Sequence, residues 1–380
     1  MPGSQVAYDC ALQPNGEKQS MNYETIRKMA AEGDAAAQCY LGHMYEEGKS
    51  IEPDIQTALS WYYCSAEQGN AAAQWKLGEM YRDGVGGAVD LEASFNWYQL
   101  AAEQGFSDAY VSLGRAFQTG RGVVEDFDEA AKWYEKAVDA GDSRGVYFLL
   151  ILGDEQGNAQ AQASLGFMAQ TGRGLAQDTS EAAFWFQKSA EQGVADAQFM
   201  LGAFFRDGTG VEQSYSKAAL WFEKAAEQGH ARAQNWLGKL YHKGYGVEQD
   251  FTAAVQCFRR AALTGNAEGQ NLLGLMYADG KGVQQDYSLA ADWYQKAASQ
   301  GNADAQFNLG VIYRDGFGVQ RDLAEAQKWF DLSTSSSSNE EKQQTDLSVR
   351  KVVKNINSPA GNKFSLFQWL RGRAAWLGIS

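Results

Sequence analysis

The sequence predicts an all-α solenoid built from helix-turn-helix repeats of 36 residues. A Leu-Gly pair returns at that spacing throughout, except for one interval of 52 residues between Leu113 and Leu165. Each period also contains two segments with apolar residues at helical spacing, and glycines follow both segments. A period of this size indicates a supersecondary unit stacked on copies of itself. The pairs begin at Leu41, Leu77, Leu113, Leu165, Leu201, Leu237, Leu273 and Leu309.

The N-terminal part of the chain precedes the first repeat. Residues 1–20 are predicted to be disordered, and residues 21–33 (MNYETIRKMAAEG) are predicted to form a lone helix that caps the first repeat. Residues 1–20 contain no apolar run typical of a signal peptide, and no stretch approaches the ~18 apolar residues of a membrane span. We therefore expect a cytoplasmic protein, with association with the cell envelope left open.

Eight full repeats cover residues 34–337, and each is predicted to contain a first and a second helix. In the fifth full repeat the first helix covers about residues 196–206 and ends at Gly208, because glycine adopts positive φ without strain. The second helix covers about residues 214–229, and its Trp221 is expected to be buried in the repeat core. The N-cap of the second helix is a side chain that accepts hydrogen bonds from a first turn. These caps are Asp54, Asp90, Asp126, Asp178, Ser214, Asp250, Asp286 and Asp322.

A truncated repeat interrupts the series at residues 142–157. Its sequence SRGVYFLLILGDEQG predicts one apolar helix over residues 146–152 and then enters the next repeat at once. Because the loop and the second helix are missing, the alternation of helix direction should be disturbed here. We therefore expect a break in superhelix regularity that divides residues 34–141 from residues 158–337.

The chain changes in composition after the last repeat. Residues 333–340 are predicted to be a Ser-rich linker, and residues 341–380 a basic helical tail. From Leu347 onward there are six basic residues and no acidic one, so this part carries about +6. One apolar face of the tail fits either a cap over the last hairpin or a basic amphipathic helix on an anionic membrane. The face comprises Phe364, Phe367, Leu370, Ala374 and Leu377.

The composition argues against several classes of function. A formal net charge of −14 argues against nucleic acid as the main partner, because phosphate binding needs clustered Lys and Arg. Four cysteines without a CxxC pair, and three histidines without ligands at metal spacing, argue against a metal site. The Gly-x-Gly pairs follow helices rather than strands, so we interpret them as turns. No Ser-His-Asp or Cys-His set stands out, and we expect a non-catalytic protein without a cofactor.

The repeat sequence AxAQxxLGxxYxxGxGVxxDxxxAxxWYxKAAEQG resembles that of the Sel-one-like repeat (SLR) family, a relative of the tetratricopeptide repeat. The resemblance covers about residues 34–337, with Ser50 in place of a loop glycine and Cys257 in place of a tryptophan. It implies a right-handed superhelix of helical hairpins. It also implies a scaffold or adaptor that binds protein or peptide segments in a concave groove. The alternatives are a membrane-peripheral adaptor that uses the basic tail, and an enzyme or enzyme subunit.

The groove can be placed by numbering each repeat from its first residue as position 0. Positions 5, 6, 9 and 12 vary and lie opposite the apolar face of the first helix, given 100° per residue, and the candidate binding residues are taken from positions 5 and 12. In tetratricopeptide-like arrays the first helices line the groove, so we expect these positions to face solvent and bind the partner. Aromatic and Arg side chains are frequent interface anchors, and the three Arg residues favour a ligand with carboxylates. The predicted site consists of Trp75, Arg82, Phe199, Arg206, Asn235, Asn271, Phe307 and Arg314.

Overall fold

A computed structural model describes residues 22–336 of the chain. These residues form eighteen α-helices and no strand, which confirms the predicted all-α class and the helix-turn-helix repeat. The predicted segment 1–20 and the basic tail 341–380 lie outside the described residues. The chain divides between Trp185 and Phe186 into two compact parts, the N-terminal half and the C-terminal half.

The N-terminal half contains helices α1 to α9 and the start of α10. The first helices of its full repeats are α2, α4, α6 and α9, and the second helices are α3, α5, α7 and α10. A π-helical turn, Ile151–Glu155, follows α8. The helices are α1 (Tyr23–Ala31), α2 (Ala35–Glu47), α3 (Ile55–Glu67), α4 (Ala71–Asp83), α5 (Leu91–Glu103), α6 (Ser107–Thr119), α7 (Phe127–Asp139), α8 (Arg144–Leu150), α9 (Ala159–Thr171) and α10 (Thr179–Glu191).

The C-terminal half contains the end of α10 and four further repeats. The first helices of these repeats are α11, α13, α15 and α17, and the second helices are α12, α14, α16 and α18. The helices are α11 (Ala195–Asp207), α12 (Tyr215–Glu227), α13 (Ala231–Lys243), α14 (Phe251–Leu263), α15 (Ala267–Asp279), α16 (Tyr287–Ser299), α17 (Ala303–Asp315) and α18 (Leu323–Ser336).

Caps and glycines set the helix ends. The carboxylate of Asp54 accepts a hydrogen bond from the backbone N–H of Thr57 at 3.1 Å, which satisfies a donor in the first turn of α3. First helices end at a glycine in the left-handed region, as at Gly208 with φ 72°. Ser50 has φ 66° and is the one non-glycine residue with positive φ among residues 22–336. Since it replaces a loop glycine, the backbone keeps the turn at a cost in strain.

The Leu-Gly pair marks the closest approach of the two helices of a repeat. Leu237 and Phe258 are 3% and 2% exposed, and a Cβ on Gly238 would lie 2.5 Å from the Phe258 ring. Only glycine therefore lets the aromatic ring of the second helix lie against the first helix. The other repeats show the same close approach. A Cβ would lie 3.0 Å or less from a Tyr or Phe ring if it were added to Gly42, Gly78, Gly114, Gly202, Gly274 or Gly310.

Trp221 is only partly buried, whereas the sequence predicts it to be a core residue. The core position is taken by its neighbour, Phe222. Phe222 is 0% exposed, whereas Trp221 is half-buried and its ring lies 4.2 Å from Nζ of Lys224. A helix turns by about 100° per residue, so adjacent side chains cannot both point at the first helix. The tryptophan rests on the rim of the core.

Pairs of glutamines join consecutive repeats, and we refer to this arrangement as the glutamine seam. Nε2 of the buried Gln198 donates to the carbonyl oxygen of Ala190 in the preceding repeat at 3.1 Å. Gln228, at the end of the same repeat, donates to Oε1 of Gln198 at 2.8 Å. Gln234 keeps the backbone bond, but its buried Oε1 has no hydrogen-bond partner. The reason is that Thr264 replaces the second glutamine of that repeat.

The truncated repeat consists of α8 and the π-helical turn, with no second helix. Leu149 and Leu152 are 0% exposed and anchor it in the core of the N-terminal half. Because no second helix separates them, α9 packs on α7 as well as on α8. Nδ2 of Asn158 at the start of α9 donates to the carboxylate of Asp128 on α7 at 2.8 Å. The break in superhelix regularity stays a prediction.

Helix α1 lies where the lone capping helix is predicted. Ile26 and Ala30 are both 1% exposed and pack against Ala37 and Leu41 of α2. Asn22 is its N-cap, accepting from the backbone N–H of Thr25 at 2.9 Å. The apolar face of the first repeat is thus covered by a helix outside the 36-residue series.

Candidate partner-binding surface

The first helices of consecutive repeats lie side by side. In the N-terminal half, Nε1 of Trp75 on α4 donates to Oγ of Ser112 on α6 at 3.0 Å. In the C-terminal half, Nδ2 of Asn308 on α17 donates to Oδ1 of Asn271 on α15 at 2.9 Å. Each half therefore presents a face made of neighbouring first helices.

The prediction that position 5 faces solvent is wrong. The ring of Phe307 packs on that of Phe330 with centroids 5.2 Å apart, and Nδ2 of Asn235 donates to Oδ1 of Asn266 at 2.9 Å. A first helix is flanked by its own second helix and by the first helices on either side, and position 5 meets both kinds of neighbour. Phe330 lies on the second helix of the same repeat, and Asn266 is the N-cap of the next first helix. Trp75 is half-buried, and the remaining predicted residues are buried: Phe199 (4% exposed), Asn235 (0%), Asn271 (6%) and Phe307 (0%).

The arginines at position 12 are partly exposed, but each is already paired with a carboxylate. Nε and Nη2 of Arg206 donate to the two carboxylate oxygens of Asp207 at 2.6 and 2.5 Å. Such bidentate pairs neutralise much of the guanidinium charge. The expected attraction of these arginines for ligand carboxylates is weaker than the sequence suggests. The same pairing joins Arg82 to Asp83 and Arg314 to Asp315.

Positions 6, 9 and 12 of the first helices form a line of side chains that we refer to as the inner strip. Most of these side chains are partly exposed, and the buried ones are Ser164, Lys239, Leu272, Ala278, Asn308 and Val311. Of these three positions, only position 12 belonged to the predicted site, although positions 6 and 9 also vary between repeats. In the N-terminal half the strip comprises Tyr40, His43, Glu46, Lys76, Glu79, Arg82, Ser112, Arg115, Gln118, Ser164, Phe167 and Gln170. In the C-terminal half it comprises Met200, Ala203, Arg206, Trp236, Lys239, His242, Leu272, Leu275, Ala278, Asn308, Val311 and Arg314.

Charged groups in the N-terminal half of the strip pair with one another. Glu46 accepts from the hydroxyl of Tyr62 at 2.7 Å and lies 2.8 Å from Nζ of Lys76. Burial works to raise the pKa of Glu46, but the contacts with His43, Lys76 and Tyr62 outweigh it and hold that pKa at about 2. This carboxylate is therefore a fixed anion at neutral pH and joins α2 to α4.

An aromatic side chain with cations around it dominates the strip of the C-terminal half. The Trp236 ring centroid lies 3.7 Å from Cζ of Arg206 and 4.3 Å from Nζ of Lys239. Both distances are typical of cation–π contacts. Lys239 also pairs with Glu268 of the next repeat at 2.7 Å. These contacts hold Trp236 in one orientation while leaving it half-buried.

Two lysines and a histidine lie close together at the end of α13. Burial, followed by the charges of Lys281 and Lys243, lowers the pKa of His242 to about 4. Burial and the charge of Lys281 also lower the pKa of Lys243. His242 and Lys281 flank one ring, since the Phe251 centroid lies 5.3 Å from the His242 ring and 5.8 Å from Nζ of Lys281. The positive charge where α13 ends therefore comes from Lys243 and Lys281, and His242 between them is neutral at pH 7.

Over residues 22–336, no three or more His, Cys, Asp or Glu side chains are placed to hold a metal ion. No helix in that range combines the length and apolar character needed to cross a bilayer. The buried thiol of Cys39 is not a ready nucleophile, because burial raises its pKa to about 12.

A family model described as the Sel1 repeat matches the chain eight times. Residues 143–158, within and beside the truncated repeat, are left out of the matches. The matched ranges are 35–70, 71–106, 107–142, 159–194, 195–230, 231–266, 267–302 and 303–337.

Several solved structures are similar to this chain. A Sel1 repeat protein from Oxalobacter formigenes is 32% identical over 87% of this chain and 90% of its own, with a TM-score of 0.49. A protective antigen of uropathogenic Escherichia coli with an SLR fold is 28% identical over 93% of this chain and 97% of its own, with a TM-score of 0.36. An immunity protein from Pseudomonas aeruginosa is 23% identical over 60% and 81%, with a TM-score of 0.34. No curated protein matches the chain.

Proposed function

We propose, from the premise that this chain belongs to the Sel1 repeat family, that it is a non-catalytic scaffold whose inner strip binds segments of partner proteins. Sel1 repeat proteins are generally protein-interaction scaffolds. The observation that carries the proposal is the strip itself, a face of neighbouring helices whose accessible side chains differ from repeat to repeat. In a solenoid such a face gives an extended binding surface.

Trp236 is the best candidate for a binding anchor on this strip. It is half-buried, and its contacts with Arg206 and Lys239 fix its orientation before a partner arrives. A fixed aromatic side chain loses little conformational entropy on binding, and Trp and Arg are enriched among interface hot spots. This anchor replaces the buried Phe199 and Phe307 of the sequence-based site.

The test compares two tryptophans that differ in their place on the repeat. Proteins captured from lysate by the full chain would be identified, and their affinity for purified variants measured by calorimetry. Trp236→Ala should weaken binding by at least about 2 kcal/mol, the size of a hot spot. Trp221→Ala is the matched control, because Trp221 is also half-buried beneath a lysine but lies on a second helix.

Melting curves of both variants would accompany the binding data, so that loss of folding is not read as loss of contact. Equal affinity of Trp236→Ala, Trp221→Ala and the unmodified chain for every captured partner would reject the inner strip as the binding surface. The membrane-peripheral alternative rests on residues 341–380, outside the described range. Sedimentation of the chain with anionic liposomes, with and without those residues, tests it.

A further inference from the structure

The charges of the first helices differ in sign from repeat to repeat, and α13 is exceptional. Within residues 22–336 it is the one first helix whose charged side chains are all basic, Arg232, Lys239 and Lys243. The other charged first helices carry carboxylates, and the whole chain has a net charge of −14. The basic side chains of α13 therefore distinguish it from the other first helices of an acidic protein.

The reversal is sharpest at position 13. Lys243 stands where four other repeats carry an aspartate, and three of those aspartates pair with the arginine that precedes them. In α13 the preceding residue is His242, so a neutral histidine and a lysine stand in place of the arginine–aspartate pair. The four aspartates are Asp83, Asp207, Asp279 and Asp315.

Geometry joins the lysines to the Trp236 anchor. Lys239 and Lys243 are four residues apart, which places them on one side of α13, and His242, which is neutral at pH 7, lies beside them. Lys281 reaches the same place from the next repeat, where it flanks the Phe251 ring with His242. Burial lowers the pKa of Lys243 most, and the additional lowering by the charge of Lys281 agrees with this placement.

Carboxylates also border the cluster. Asp207 pairs with Arg206, Glu268 with Lys239, and Asp279 with Lys281 at 3.1 Å. These anions would repel the continuous phosphate backbone of a nucleic acid. A peptide with separated carboxylates can place its anions on the cations and keep them away from the bordering carboxylates.

We propose that the inner strip of α13, from Trp236 to Lys243 together with Lys281, binds an Asp- or Glu-rich segment of a partner protein. The proposal rests on the scaffold function and names the partner class for this part of the strip. An apolar residue of the segment packs on Trp236, and neighbouring carboxylates pair with Lys243 and Lys281. A segment that runs along the strip and beyond the end of α13 would contact both lysines.

The test selects binders from a display library of random 12-residue peptides on the immobilised full chain. Selected peptides should be enriched in Asp and Glu. The double variant Lys243→Asp/Lys281→Thr should bind them about tenfold or more weakly in physiological salt. Both substitutions copy residues found at those positions in other repeats, so the variant should fold. Its matched control is Lys224→Asp/Lys296→Thr, which makes the same charge change on α12 and α16 and should bind normally.

Three results would overturn the proposal, and they separate it from the scaffold function. Peptides without acidic enrichment that still require Trp236 would support the scaffold and reject the acidic partner. Acidic peptides that bind both double variants equally would place their site elsewhere on the chain. A library that yields no binder to the unmodified chain would count against both proposals.

Discussion

Trp221 and Phe222 show how sharply burial changes between neighbouring residues. Phe222 fills the space left by Gly202 and is 0% exposed, whereas Trp221 is half-buried. Phe222→Ala should lower the free energy of unfolding by about 3–5 kcal/mol, the usual cost of deleting a buried aromatic ring. Trp221→Ala should cost clearly less despite the larger side chain. Urea unfolding followed by circular dichroism would measure both, and equal losses would show that the ring of Trp221 is a core element.

Gln234 offers a stabilising substitution. Its buried Oε1 has no hydrogen-bond partner, because Thr264 stands where other repeats carry a glutamine that donates to this atom. Thr264→Gln should restore the seam and raise the free energy of unfolding by about 1 kcal/mol. Thr264→Leu, which lacks an amide, is the control and should give no gain. A higher melting temperature for the Leu variant than for the Gln variant would argue against the missing hydrogen bond as the cause.

Glu46 makes stability depend on pH. Its pKa is about 2 in the folded chain against an ordinary 4.5, so its contribution is fully present above pH 4.5 and is lost as the pH falls toward 2. Glu46→Gln should therefore cost about 2–3 kcal/mol at pH 7 and much less near pH 2. Chemical unfolding across this range would measure the difference. Lys76→Met should remove part of the same pH dependence, and a cost of Glu46→Gln that is constant with pH would contradict the assignment.

At the scale of the helix, local sequence signals were sufficient to predict where the helices lie. Asp and Ser caps, glycine stops and the apolar period fix where each helix begins and ends, and the structure places helices at those positions. The truncated repeat also forms a single helix, although it starts at Arg144 rather than Val146 and continues into a π-helical turn. These features depend on residues close in sequence, which is why the sequence could predict them.

The contacts of each helix with its neighbours were harder to predict. Position 5 lies between the second helix of its own repeat and the start of the next repeat, since the Phe199 ring centroid is 5.8 Å from that of Phe222 and 4.6 Å from that of His230. The stacked array buries Phe199 and Asn235 there, because the adjacent first helix covers them. Whether Arg206 is free or paired likewise depends on the rotamers that Arg206 and Asp207 adopt. Period and helix spacing do not determine such details.

For the molecule as a whole, the 36-residue period predicted the class of fold, and the sequence of the repeat indicated the family. It could not identify the anchor, because Trp236 occurs in one repeat and no regularity marks it. The departures from the repeat, Trp236 and Lys243 among them, are where binding specificity is proposed. Regular positions build the array, and irregular positions distinguish one part of it from another.

The glutamine seam makes the repeats interchangeable parts. Gln306 donates to the carbonyl of Ala298 as Gln270 donates to that of Ala262, so a chain that lacks residues 267–302 would bring Gln306 to Ala262. Excision of that whole period should leave a helical chain that unfolds cooperatively in a thermal melt, whereas removal of 18 residues should not. A whole period can therefore be gained or lost, lengthening or shortening the binding surface, while the glutamine contacts are kept at the new junction.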